Sequence, residues 1–172
     1  MDSMKIGGVS CIELAERFGT PLYVYDEEKI ISQAKDALEG FSSDMFETEV
    51  VYASKAFSSI ALFRLLSSLG IGLDVVSGGE VYGAVKAEAD MSKVYFHGNN
   101  KSDEEIEKAL EQGVGCFVID NIMECRRLIK LAEKRNSLLL WKSMDVCKKR
   151  KWKIWNFDRG IGLYDSKKRQ II

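Results

Sequence analysis

Short apolar runs alternate along this chain with longer segments whose apolar residues recur at helical spacing. "TEVVYAS" (48–54) has the β-branched and aromatic content of a strand. The segment after it, "SSIALFRLLSSLG" (58–70), sets Ile60, Phe63, Leu66 and Leu69 on one helical face, with serines to cap it and Gly70 to end it. The pattern recurs three times. "IGLDVVS" (71–77) precedes a helix that opens on the glycine pair of "GGEVYGAVKAEA". "SKVYFHG" (92–98) precedes "SDEEIEKALEQG", where Ser102 and Glu105 stand at capping-box spacing and Gly113 is a stop. "VGCFVID" (114–120) precedes "NIMECRRLIKLAEKR", with Asn121 and Glu124 at the same spacing. A repeat of about 22 residues is the length of a βα unit on a parallel sheet, so the fold class is α/β.

Ahead of the repeat, "SCIELAERFGTPLYVYDEEKIISQAKDALEGF" reads as a capped short helix, a strand at "PLYVYD" and a longer helix over 27–38. Pro21, the only proline, suits the first position of that strand.

The strands end in polar residues. Lys55, Asp74, Ser77, His97 and Asp120 all fall at or just past a C-terminal strand end, the edge where α/β sheets and βα barrels bind ligands. Every strand must also end in something polar, and two readings of Lys55 follow. It is either a solvated strand terminus or an amine kept among small apolar neighbours so that its neutral, nucleophilic form can bond to a carbonyl. Asp74 is open to a cofactor-site reading and to a helix-cap or turn reading. The stretch Gly78, Gly79, Glu80 serves equally as a helix-opening turn, and the solvated face of a helix accounts for Glu104, Glu105, Glu107 and Lys108.

Composition narrows the function classes. Of 172 residues, 46% are hydrophobic and 30% charged, which fits a globular chain, and a net charge of -1 argues against a polyanion binder. No apolar run is long enough to span a bilayer, and "MDSMKIGGVS" lacks the apolar stretch of a signal peptide; a cytoplasmic protein is the expectation. Cys11, Cys116, Cys125 and Cys147 form no C-x-x-C pair and His97 is the only histidine, so no Cys/His metal site is expected and the thiols read as reduced and mostly buried. The averages conceal a break near residue 136. Residues 137–172 hold ten of the 25 Lys/Arg and three acids, a net of +7 against -8 for 1–136, and all three tryptophans.

"YASKAF", "GIGLDVVSGGEVYGA" and "KVYFHGNNKS", in that order, resemble the N-terminal half of the barrel of the pyridoxal-phosphate-dependent group IV decarboxylases, most closely the diaminopimelate decarboxylase family. "ELAERFGTPLYVYDEEKI" is similar to that family's lead-in and "GVGCFVIDNIMECRRL" to its fourth strand and helix, so the likeness covers about residues 10–136. It implies half of an alanine-racemase-like, TIM-type βα barrel. Lys55 matches the lysine that binds pyridoxal 5'-phosphate covalently, Ala53 a small residue that lets the cofactor lie close to the strand, and Asp74 an acid facing the site. The family's ring-stacking histidine comes from a later strand, so His97 lines the pocket or serves the structure; Asn99, Asn100 and Lys101 share that ambiguity. The family reaction is decarboxylation of meso-diaminopimelate to L-lysine, and its members commonly build their sites from two subunits, which implies a homodimer.

The resemblance stops near residue 136. The family's later arginine, histidine, glycine-rich phosphate loop and C-terminal β domain have no counterpart in "NSLLLWKSMDVCKKRKWKIWNFDRGIGLYDSKKRQII". Two segments are therefore expected: 1–136 as a partial barrel and 137–172 as a basic, Trp-rich tail produced by a frameshift or truncation. Lysines with tryptophans suit nucleic acid in principle, but "KKRKWK" is a short charge run and no nucleic-acid partner is expected. Four βα units leave open sheet edges, so the expectation is a truncated, inactive form. The rivals are a non-catalytic pyridoxal-phosphate-binding protein and a translated remnant without function.

Overall fold

A computed structural model describes residues 4–45 and 48–135 and the backbone of the strands Trp141–Ser143, Trp152–Phe157, Gly160–Asp165 and Gln170–Ile171. The chain divides into two compact units, Met1–Val50 and Val51–Ile172.

In the first unit, β1 (Lys5–Ile6) and β2 (Val9–Ser10) form an antiparallel hairpin. Its two-residue turn is Gly7 and Gly8, at φ +57° and +78°, a pair of left-handed conformations that glycine adopts without a side-chain clash. Helix α1 (Cys11–Phe18) follows, capped by the Ser10 hydroxyl. Helix α2 (Glu27–Gly40) is capped by Asp26, whose other carboxylate oxygen accepts the Gly7 N–H at 3.1 Å. The strand expected at "PLYVYD" does not form. No sheet among the described residues offers that segment a ladder, and Tyr23 is 91% exposed; β-propensity without a neighbouring strand leaves an extended coil.

The second unit is the βα repeat. Strands β3 (Val51–Ala53), β4 (Gly72–Val75), β5 (Val94–Phe96), β6 (Cys116–Ile119) and β7 (Trp141–Ser143) lie side by side in chain order, all parallel. The connecting helices are α3 (Ile60–Ser68), α4 (Gly78–Lys86), α5 (Asp103–Glu111) and α6 (Ile122–Arg135). Three further strands, β8 (Trp152–Phe157), β9 (Gly160–Asp165) and β10 (Gln170–Ile171), form an antiparallel meander.

Strand alternation sorts the sheet residues onto two faces. Leu73 and Val75, Val94 and Phe96, and Phe117 and Ile119 belong to one core with Val81, Ala84, Ile106, Ala109 and Leu128 of the helices. The Phe96 and Phe117 rings meet at 6.0 Å, tilted by 50°, a geometry that adds about 1 kcal/mol beyond area burial. On the opposite, inner face the register sets Ala53, Asp74, Tyr95 and Cys116 in one row. The buried stripe of α3 is Leu62, Phe63 and Leu66, and Ile60 is exposed, so the arc is rotated from the one expected. The cause is α4: Phe63 fills the space beside Gly83, where an added Cβ would stand 3.3 Å from its ring.

Candidate functional site

The C-terminal edge of the parallel sheet collects the polar residues. Strand β3 ends at Ala53 and passes into a single 3-10 turn, Ser54–Ala56, with Lys55 at its centre. Three hydrogen bonds fix that turn. The buried Ser54 hydroxyl donates to the Asp74 carbonyl at 2.8 Å, tying it to β4, and the Tyr52 hydroxyl donates to the Phe57 carbonyl at 3.2 Å. The Ser58 hydroxyl, 2.8 Å from the Ser54 carbonyl and 2.9 Å from Glu80 Oε1, donates to one or the other. Lys55 itself is exposed, as the strand-terminus reading has it and not the enclosed one, and among the described residues its amine has no hydrogen-bond or ion-pair partner. The turn is rigid where its neighbours are bonded, and the ammonium is left free.

Asp74 lies inside β4, beside Ala53 in the register. It is neither a cap nor a turn residue: Ser77 caps α4. Its side chain is 26% exposed, yet Oδ1 is buried and accepts no hydrogen bond among the described residues. The nearest opposing group is His97 Nδ1, 3.5 Å away, so the structure brings these two sequence-predicted residues together.

Three of the four βα loops share one device. The caps of α4, α5 and α6 are each followed three residues later by a glutamate, Ser77 by Glu80, Ser102 by Glu105 and Asn121 by Glu124, whereas Ser59, the cap of α3, has Leu62 at that position. Glu80 Oε2 accepts the Val76 N–H at 2.6 Å and Glu124 Oε2 the Asp120 N–H at 3.0 Å, while Glu105 completes a capping box with the Ser102 N–H. Each glutamate also reaches the preceding unit: Glu80 to Ser58, Glu105 to the Gly78 N–H at 2.8 Å, and Glu124 to Lys101 at 2.6 Å. The Ser102 and Gly78 backbone N–H groups, in that order, hold the Glu105 carboxyl below the usual range.

This device decides what "SGGE" is. The N–H groups of Val76, Gly78 and Glu80 are already taken by Glu80, Glu105 and Ser77. A phosphate there would meet two carboxylates instead of open donors, so the helix-opening reading holds. Lys101 is structural as well. It is 3% exposed, donates to the Gly98 and Val118 carbonyls, lies 5.5 Å from the centre of the Phe96 ring and pairs with Glu124, itself 4% exposed. Asn99 and Asn100 are exposed, and the cap of α5 is Ser102, as its spacing to Glu105 predicts. Glu104 and Lys108 form an exposed i,i+4 pair at 2.8 Å, as the solvated-face reading has it. Among the described cysteines, Cys116 and Cys125 are buried, and burial followed by the Glu124 charge pushes the Cys125 thiol up; Cys147 lies outside the described residues. Within those residues no cluster of three His, Cys, Asp or Glu side chains could hold a metal ion.

An exposed lysine on a rigid turn, with an unsatisfied carboxylate oxygen and an imidazole on the neighbouring strand ends, suits the aldehyde and ring of a pyridoxal group. The chain belongs to a family defined on that chemistry: residues 27–154 match the family described as pyridoxal-dependent decarboxylase, pyridoxal binding domain. Within that family its relatives are diaminopimelate decarboxylases. The one from Halalkalibacterium halodurans is 50% identical over 134 residues, covering 78% of this chain and 30% of the relative, and the one from Bacillus subtilis 49% over 131 residues, covering 76% and 30%. The crystal structure of the M. jannaschii diaminopimelate decarboxylase in co-complex with L-lysine superposes with a TM-score of 0.72 at 38% identity, covering 78% of this chain and 32% of that one. The chain thus spans about a third of the length of these relatives, and its parallel βα repeat is part of the barrel domain that such decarboxylases share.

Sequence reasoning singled out Lys55, Asp74 and His97 but missed Ser54, and it read Glu124 only as a cap partner. The cap spacing that revealed Glu124 gave no sign that its carboxylate would be buried against Lys101.

Proposed function

We propose that this chain supplies the cofactor-attachment part of a diaminopimelate decarboxylase, a protein that releases carbon dioxide from meso-diaminopimelate to give L-lysine. The observation that carries the reading is the juxtaposition of the Lys55 turn, bonded to β4 through Ser54, with the buried, unsatisfied oxygen of Asp74. When bound, pyridoxal 5'-phosphate supplies the electron sink for the electron pair left behind as the carboxylate departs. Lys55, at the centre of the 3-10 turn, would hold the cofactor through its Nζ. Ala53 would leave room for the group at the strand surface, Asp74, its neighbour in the register, would offer it a carboxylate, and His97 would line the same edge. The Val76, Gly78 and Glu80 N–H groups at the start of α4 are occupied, so they would not be the ones that grip the phosphate. For the whole protein we infer a homodimer acting on an amino-acid substrate in the cytoplasm; the names of the relatives support the substrate class, and among the described residues no helix is long and apolar enough to cross a membrane. The compositional break near residue 136 remains our proposed boundary between 1–136 and the tail, 137–172, although β7 continues the parallel sheet beyond it and the family match extends to residue 154.

The test is to add pyridoxal phosphate to the full chain, reduce with borohydride and map the labelled peptide. Labelling concentrated on Lys55 and absent from Lys55→Ala is the expected result. Labelling spread over surface lysines and unchanged by Lys55→Ala would overturn the assignment.

A further inference from the structure

His97 is held in place by restraints that packing alone does not call for. Its own N–H donates to the Val75 carbonyl at 2.7 Å, extending the β4–β5 ladder past the end of β5. The next residue, Gly98, has φ +103°, and a Cβ there would stand 2.7 Å from the Val76 carbonyl oxygen, so no other residue fits without moving the backbone. The Gly98 carbonyl is in turn held by the buried Lys101 ammonium, which Glu124 neutralises. These restraints fix the imidazole, 27% exposed and outside the hydrophobic core, 3.5 Å from a buried carboxylate oxygen that accepts no hydrogen bond among the described residues. A buried acceptor left empty is costly, and Nδ1–H is the nearest donor.

We propose that His97 is a positioning residue for Asp74: its Nδ1–H bonds to Oδ1, fixes the carboxylate on the inner face beside the Lys55 turn and leaves Oδ2 for the cofactor end of the site. Only the use of Oδ2 rests on the cofactor reading. The pairing itself is a property of the free chain.

The presence of a single histidine makes the pairing directly measurable. Nitrogen NMR of the imidazole-labelled, cofactor-free full chain reads which ring nitrogen carries the proton. The neutral ring is expected to be protonated on Nδ1, and Asp74→Ala should move the proton to Nε2, the form free imidazole prefers in water. A proton on Nε2 in the parent chain, or a distribution unchanged by Asp74→Ala, would overturn the proposal. A second readout is the rate of borohydride-trapped labelling of Lys55 by pyridoxal phosphate. His97→Phe should slow it about tenfold, the weight of one hydrogen bond to a charged group. His97→Asn, whose amide N–H can stand where Nδ1–H stood, should restore most of the rate; equal rates in Phe, Asn and parent chains count against the proposal. Failure to label Lys55 in the parent chain would defeat the cofactor reading and leave the NMR result to decide the pairing.

Discussion

Replacing Lys101 by Met would leave the Glu124 carboxylate, 4% exposed, without its counter-charge while keeping a side chain of similar length against Phe96. Glu124 Oε2 would retain the Asp120 N–H, but Oε1, whose partner among the described residues is the ammonium, would have none. The Gly98 and Val118 carbonyls would lose a donor in the same step. Removing one partner of a buried ion pair costs about 3–5 kcal/mol because the other charge stays behind. That is a large part of the roughly 5–15 kcal/mol that holds an ordinary domain together. With a denaturant slope of about 2 kcal/mol per molar, the urea midpoint should fall by about 2 M, or the variant should be unfolded from the outset. Adding Glu124→Gln removes the stranded charge and leaves an amide able to accept from Asp120 and donate to a carbonyl. The double variant should therefore be more stable than Lys101→Met alone, with a coupling of at least about 1.5 kcal/mol. A Lys101→Met chain within about 1 kcal/mol of the parent, or a double variant whose loss equals the sum of the single ones, would refute the reasoning.

Two further predictions concern the same rim and the packing beneath it. Gly115→Ala would drive a Cβ to 1.8 Å from the Ser92 carbonyl oxygen and disturb the Gly115 N–H bond to the Met91 carbonyl at 2.8 Å; a loss of about 3 kcal/mol, read as a fall in thermal midpoint, is expected, and an unchanged midpoint would contradict the packing. The Glu105 carboxyl titrates below its ordinary 4.5 in the folded chain, so its contribution to stability is present above that value and is lost as pH falls through the folded one. Urea midpoints measured from about pH 5 to about pH 3 should therefore decline less steeply in Glu105→Gln than in the parent, and parallel declines would count against the Ser102 and Gly78 hydrogen bonds as the cause.

Periodicity made the βα repeat legible because both halves of its signal are local: strands starting at 51, 72, 94 and 116, and helices stopped at Gly70 and Gly113, each with positive φ. The caps were legible for the same reason, since Ser102 and Glu105 bond within one turn. The Gly7–Gly8 hairpin carried a sequence signal in two adjacent glycines that was passed over. What could not be read was anything set by neighbours distant in the chain. "PLYVYD" has strand composition but no ladder partner, and Ile60 fits a helical face that α3 turns away from α4. In the site, Lys55, Asp74 and His97 stood out because each is polar at a strand end, and the 3.5 Å approach of the last two follows only once β4 and β5 are parallel neighbours. For Lys101 the sequence left pocket-lining and structural roles open, and only its two carbonyl acceptors and its glutamate, all distant in the chain or fixed by the fold, decide for the structural one.

The glutamates that follow the helix caps all reach backward along the chain, from a later loop to an earlier one. Assembly of the rim is therefore directional. During synthesis the loop after β5 emerges before its counter-charge, and Lys101 gains that partner only once α6 brings Glu124 about 23 residues later. Each unit is finished by its successor, so a chain interrupted within the repeat would leave its last loop unfastened and every earlier one intact.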